Sequence, residues 1–327
     1  MRGCHVKVLD LERIEAIAAD PAHRTAAVPD APPDLSLPFI PEDQTQLYYT
    51  SAYAMLSRAQ KVRYNQLYAL RVNEYIMMLE RDFVEPVLTA LRGRALQRGS
   101  PALRRALEGM LAEEERHYRA FAALNRRCAP RDYERTEAQF MRLRPHERAV
   151  LRAMHLGARW LPFALWTIVA VEECSIAFAS SMTSYRDGAL GPLEPGFVAV
   201  HREHAKDEAR HIHIDVHLVR SCVATLPAAW RALNAKLFIA LMRDMTSPKA
   251  EGTGARVVRR LVAEFPELAP RERELVEGLV ALKDSEEFQR NLLNRKLAPL
   301  AFALYDDEPA LANLGKVLRG YERPASG

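Results

Sequence analysis

Two five-residue words in the chain carry side chains that could ligate metal, Glu113-Glu114-Glu115-Arg116-His117 and Asp207-Glu208-Ala209-Arg210-His211. Each reads acid, Glu, any residue, Arg, His. On an α-helix a Glu and a His three residues apart are separated by about 60° around the axis and about one turn along it, so both can reach one ion. With 28 Glu and 10 His among 327 residues, about one Glu-x-x-His pair is expected by chance. Requiring also the preceding acid and the Arg lowers that expectation to roughly 0.01 per chain. Two occurrences therefore point to one site assembled from two helices, against the alternative of solvated helix faces laced by ion pairs.

Two such words, joined by one inward Glu on each of two further helices, would complete a carboxylate-bridged pair of metal ions inside a ferritin-like four-helix bundle. Upstream of the first word, Glu80 has apolar neighbours at helical spacing (Ile76, Met77, Phe83, Val84) and is expected to face the core. Glu74, beside Arg71, and Glu85, after Arg81 and Asp82, are expected at the surface. Between the words stand adjacent acids, of which Glu172 is favoured because the bulkier row of Leu165, Ile168 and Ile176 lies on its side, with Glu173 left open. His204, Glu208 and His211 form one stripe, so His204 is a candidate third imidazole ligand, and His201 continues the row. Asp207 and Glu113 are placed to accept the free ring N–H of the opposite helix's histidine, with Arg116 and Arg210 balancing their charge.

The elements that must position these groups are helices. Five prolines from Pro29 to Pro41 suggest that residues 1–45 form an extended arm on the surface. Ser57 with Gln60 is a capping-box start for a long helix reaching toward Pro86. Ser100-Pro101 opens a second helix through Asn125, carrying the first word. The segment from about Asp132 to Gly157, with the apolar-periodic run Val150, Leu151 and Met154, is expected to form a connecting helix. An apolar helix follows Pro162, and a fourth runs from Pro195-Gly196 to about Thr225 with the second word. Residues 46–225 would then be the bundle, and 226–327 additional helices packed on it, including an amphipathic stretch from Arg271 to Leu304. Strand signals are nearly absent, so the fold class expected is all-α.

Composition excludes more than it selects. A net charge of +4 spread over 46 basic and 42 acidic residues forms no basic stripe, so nucleic acid is not an expected partner. Cys4, Cys128, Cys174 and Cys222 form no Cys-x-x-Cys pair, and the charged first twenty residues do not read as a signal peptide, so a cytoplasmic protein is expected. The apolar run from Trp160 to Val171 is too short for a membrane span and reads as a buried helix.

The set Glu80, Glu114-x-x-His117, Glu172 and His204-x-x-x-Glu208-x-x-His211 resembles the dinuclear iron N-oxygenases related to p-aminobenzoate N-oxygenase, over roughly residues 50–220. The histidine one turn before the second Glu-x-x-His is its most specific element. The resemblance implies two iron ions, O2 activation, oxidation of an aromatic amine toward hydroxylamine and nitro products, an external electron donor and a homodimer. Manganese is also allowed, because oxygen and imidazole ligands do not by themselves choose the metal. Rival readings are a soluble desaturase or hydroxylase acting on a carrier-bound or small substrate, an iron-storage or detoxification bundle, and a purely structural helical protein. The radical-generating subunit of ribonucleotide reductase fits less well, since its tyrosine position is Phe121 here.

Overall fold

A computed structural model of the chain describes residues 8–20, 31–98 and 101–322. Its helices are α1 (Leu11–Ala19), α2 (Ser51–Ala54), α3 (Arg58–Met78), α4 (Glu85–Arg98), α5 (Pro101–Cys128), α6 (Pro145–Gly157), α7 (Ala164–Ser184), α8 (Pro195–Cys222), α9 (Ala228–Met245), α10 (Thr253–Glu264), α11 (Glu272–Ala281), α12 (Glu286–Leu292) and α13 (Pro299–Asp307). Among the described residues there is no strand, only two isolated bridges. The protein is all-α, a ferritin-like bundle of α3–α4, α5, α7 and α8 with further helices around it. Of these, α10 lies on α3 and α13 on α7.

The long first bundle helix starts at the capping box expected from sequence: Ser57 Oγ accepts from Gln60 N–H, and the Gln60 side chain accepts from Ser57 N–H. It does not stop at Pro86. A π-turn, Leu79–Val84, is inserted ahead of the proline, and Glu85 N–H donates to the Glu80 carbonyl. The wider turn shifts the backbone register just where Pro86 would otherwise clash with the preceding turn, so the chain continues as α4. Glu80 sits inside this turn.

Three other expectations need correction. Residues 11–19 are helical and not part of an extended arm: Asp10 caps α1 by accepting from Arg13 N–H at 2.7 Å. Ile14 is buried in the core, and α1 packs on α5 and α8. The prolines that argued against helix cluster after this segment, and averaging over the whole stretch hid a proline-free helix. Pro29, like Ser100, lies outside the described residues. Within 132–157 only α6 is helical, because residues 139–141 are drawn inward by Glu74. The stretch from Arg271 to Leu304 is broken into α11, α12 and α13, with Ser285 capping α12 through Phe288 N–H.

The packing leaves a polar waist. One apolar cluster takes Phe83–Leu91, Leu103–Met110, Phe163–Ala170 and Ile214–Val223 from the four bundle helices. The other takes Tyr64–Met77, Tyr118–Cys128, Met182 and Phe197–Val200. Between them, on every bundle helix, lie the acids and histidines singled out above. Helix α7 is long and apolar enough to cross a membrane. Here it is buried against α8 and α13 and carries Glu172 and Glu173.

Candidate metal centre

Six of the seven expected residues meet in the waist. Glu80, His117, His204 and Glu208 form one group, and Glu114, His117, Glu208 and His211 a second, the candidate donor atoms of each group lying within 4.8 Å of one another. All six are buried. His204 Nε2 lies 2.8 Å from Glu208 and 3.1 Å from Glu80. His117 Nδ1 lies 3.4 Å from Glu208 and 3.7 Å from Glu80. His211 Nδ1 lies 3.1 Å from Glu114 and 3.5 Å from Glu208. Glu208 and His117 thus stand between two clusters of ligating atoms.

The crossed pairing expected from the repeated words is present. His117 Nε2 meets Asp207 Oδ2 at 3.0 Å, and His211 Nε2 meets Glu113 Oε2 at 2.8 Å. A carboxylate only accepts, so each Nε2 carries a hydrogen and Nδ1 is the ring atom turned to the interior. Arg116 reaches Asp207 at 3.0 Å, while Arg210 donates to Asp207 at 2.9 Å and to Glu113 at 2.6 Å. Two helices are therefore tied through both words.

The seventh residue, Glu172, stands beside this cluster and outside both groups. It is buried and faces Asp215 of α8, also buried, and the two carboxyls share a hydrogen bond that needs a proton on one of them. Burial, and then Asp215, push Glu172 well above the carboxylate range, and burial pushes Asp215 up to about 7. Glu173 is occupied elsewhere: its oxygens accept from Leu300 N–H at 2.8 Å and Ala301 N–H at 2.7 Å, capping the start of α13. Asp215 was missed by sequence reasoning, although it extends the His204–Glu208–His211 stripe by four residues.

Two other residues behave differently from expectation. Glu74 is buried, not exposed, and accepts from Tyr133 Oη at 2.6 Å and from the N–H groups of Gln139, Phe140 and Met141 at 2.8, 2.7 and 2.7 Å. Its partners come from a loop remote in sequence, which helical neighbours could not reveal. His201 turns from the centre and meets Asn73 Oδ1 at 3.0 Å. Burial holds it down at about 3, so it stays neutral. Phe121, fully buried, packs between His201 and His204 and places no phenol near the centre.

The donor set fits metal ions. Glu80 Oε2, Glu114 Oε1, Glu208 Oε2, His117 Nδ1 and His211 Nδ1 make no hydrogen bond although all are buried. Leaving such groups unsatisfied is strongly unfavourable, and cations remove the penalty. Four carboxylates, Glu80, Glu114, Glu172 and Glu208, would balance two divalent ions. Without them the electrostatics are strained: burial raises Glu80 to about 8, while His204, despite burial, is raised to about 10 by Glu208 and Glu80. Glu208 is held well below the carboxylate range by His204 and His211, against burial. Beside the centre, a groove of about 690 Å³ runs between α3 and α7, lined next to the acids by Ile76, Leu79 and Val171.

Comparison with known proteins agrees with this geometry. No curated protein matches the chain. Residues 15–282 match the family described as P-aminobenzoate N-oxygenase AurF. That match spans most of the sequence, and the chain belongs to the AurF p-aminobenzoate N-oxygenase family.

Proposed function

We propose that the protein is a dinuclear iron oxygenase that uses O2 to N-oxygenate an aromatic or other amine in a biosynthetic pathway. The observation that carries this reading is the set of buried donor atoms without hydrogen-bond partners, gathered in the waist between two apolar clusters and beside a groove of substrate size. Glu80, Glu114, His117, Glu172, His204, Glu208 and His211 would hold two irons, with Glu208 placed between the two clusters. Bound iron supplies the electrons that activate O2.

The chain's own residues do the rest. Asp207 and Glu113 hold the His117 and His211 rings in the tautomer that turns Nδ1 inward. His204 holds a proton at Nε2 between Glu80 and Glu208, and would have to release it for that nitrogen to hold a metal. Phe121 on one side, and Leu165 and Ile168 on the other, keep water from the centre. The amine enters past Ile76 and Leu79.

The test is reaction of the iron-loaded, reduced protein with O2 and a panel of arylamines, read by mass spectrometry. Addition of oxygen to the amine nitrogen is the expected result. Arylamines recovered unchanged while carrier-bound acyl chains are desaturated or hydroxylated would replace this reading with a desaturase-type one. Iron deposited beyond two ions per chain would indicate storage.

A further inference from the structure

The groove beside the centre has a direction. Its lining runs from Leu79 of the π-turn, next to Glu80, back along α3 to Tyr68, and on α7 from Val171, next to Glu172, forward to Ser184. At the helical rise these spans correspond to about 17 and about 20 Å, so the groove leads from the acids outward along both helices. A single aromatic ring with an amine at one end and a substituent at the other is about 7 Å long, roughly two extended residues. It would fill less than half the groove, whose volume of about 690 Å³ suits a drug-sized molecule.

The chemistry of the wall changes along that length. Immediately next to the acids it is formed by the apolar Ile76, Leu79 and Val171. At the far end Ser181, Ser184 and Thr45 each donate their hydroxyl hydrogen, at 2.7 Å, to the backbone carbonyls of Phe178, Ser180 and Glu42. With their hydrogens committed, these oxygens are left as acceptors. Asp43 stands exposed on the same rim, with no cation within ion-pair distance among the described residues. Among the described lining residues the one cation, Lys296, lies just before α13, whose first turn is held by Glu173, and so belongs to the end near the centre. The far wall is completed by Phe288, packed on Tyr49 at 5.4 Å, and by Asn291. Both lie beyond residues 15–282 of the family match.

We propose that the substrate is an elongated amine, reacting at the Ile76–Leu79–Val171 end, whose tail carries hydrogen-bond donors (hydroxyl, amide N–H or ammonium) for Asp43 and the hydroxyl oxygens of Ser181, Ser184 and Thr45 at the far end. This rests on the groove being the substrate site of the proposed oxygenase. An anionic tail, such as a phosphate or carboxylate, meets the like charge of Asp43 there and binds more weakly.

The test is calorimetric binding to the metal-loaded protein without O2, using three ligands. One is a single-ring aniline, the second the same ring with a tail of about 10 Å, three extended residues, ending in ammonium, and the third the same tail ending in carboxylate. The ammonium-tailed ligand is expected to bind about tenfold or more tighter than either of the others, the gain of one or two hydrogen bonds including one to a charged group. Asp43→Asn should remove most of the preference for ammonium over carboxylate while leaving the single-ring affinity unchanged. Equal affinities for all three, a tighter carboxylate tail, or no binding of any would overturn the inference. Because no oxidation is read, the expected ranking with no N-oxygenation in separate turnover assays would sink the oxygenase reading alone. N-oxygenation without the ranking would sink this inference alone.

Discussion

Asp207→Asn isolates the contribution of one carboxylate that touches no candidate metal position. Asp207 is 1% exposed and engages His117 at 3.0 Å, Arg116 at 3.0 Å and Arg210 at 2.9 Å. Asparagine keeps the shape and one acceptor oxygen but removes the charge facing two guanidinium groups, one of them buried. Removing one partner of a buried ion pair costs about 3–5 kcal/mol, and losing the group that orients a ligating histidine weakens metal affinity by about 10–100-fold. Glu113→Gln is the internal comparison. Its side chain is 18% exposed and meets Arg210 at 2.6 Å and His211 at 2.8 Å, so water can replace part of what is lost. A smaller destabilisation, about 1–3 kcal/mol, is expected there. Chemical denaturation with and without metal, together with anaerobic metal titration, measures both effects. If Asp207→Asn unfolds with the wild-type protein and binds metal with unchanged affinity, the crossed carboxylates do not position the histidines.

Further outcomes follow from other parts of the molecule. Glu172→Gln should weaken metal binding at least tenfold. Glu173→Gln should retain full metal content and lose about 1–2 kcal/mol of stability from the weakened α13 cap, a pair of results that metal analysis and denaturation distinguish. Glu80, raised by burial to about 8, and His204, raised to about 10, keep protons in the folded metal-free protein that the unfolded chain releases near 4.5 and 6.5, so stability falls as pH rises through about 4.5 to 8 for Glu80 and about 6.5 to 10 for His204. Thermal melts of the metal-free protein should therefore fall across those ranges, melts of the loaded protein should fall less, and a metal-free melt that rises instead would refute the assignment. The same protons must leave on loading, so metal affinity should increase with pH through about 8, read by titration in buffers of different ionisation enthalpy. Glu74→Ala strands the Tyr133 hydroxyl and three backbone N–H groups, with an expected loss of about 4 kcal/mol or more and new protease cleavage within residues 132–144.

What could be read from sequence was what local spacing controls. The two words and the apolar flanks of Glu80 located three bundle helices and their inward faces, because burial on a helix is set by neighbours three and four residues away. Ser57 and Gln60 marked the start of α3 for the same reason. What escaped was set by distant partners. Glu74 looked exposed beside Arg71, yet its acceptors are filled from residues 133–141. Glu172 and Glu173 could not be separated by their own helix, and the difference between them came from α13, more than a hundred residues on. The π-turn that carries Glu80 past Pro86 has no local signature. Asp215 was legible in the stripe but has meaning only opposite Glu172.

Anomalous diffraction at the iron edge, from crystals of the protein loaded anaerobically with Fe(II), tests the central claim most directly. Two peaks are expected in the waist, one among Glu80, His117, His204 and Glu208 and the other among Glu114, His117, Glu208 and His211. A single peak, or iron bound elsewhere with these side chains still facing one another unligated, would contradict it.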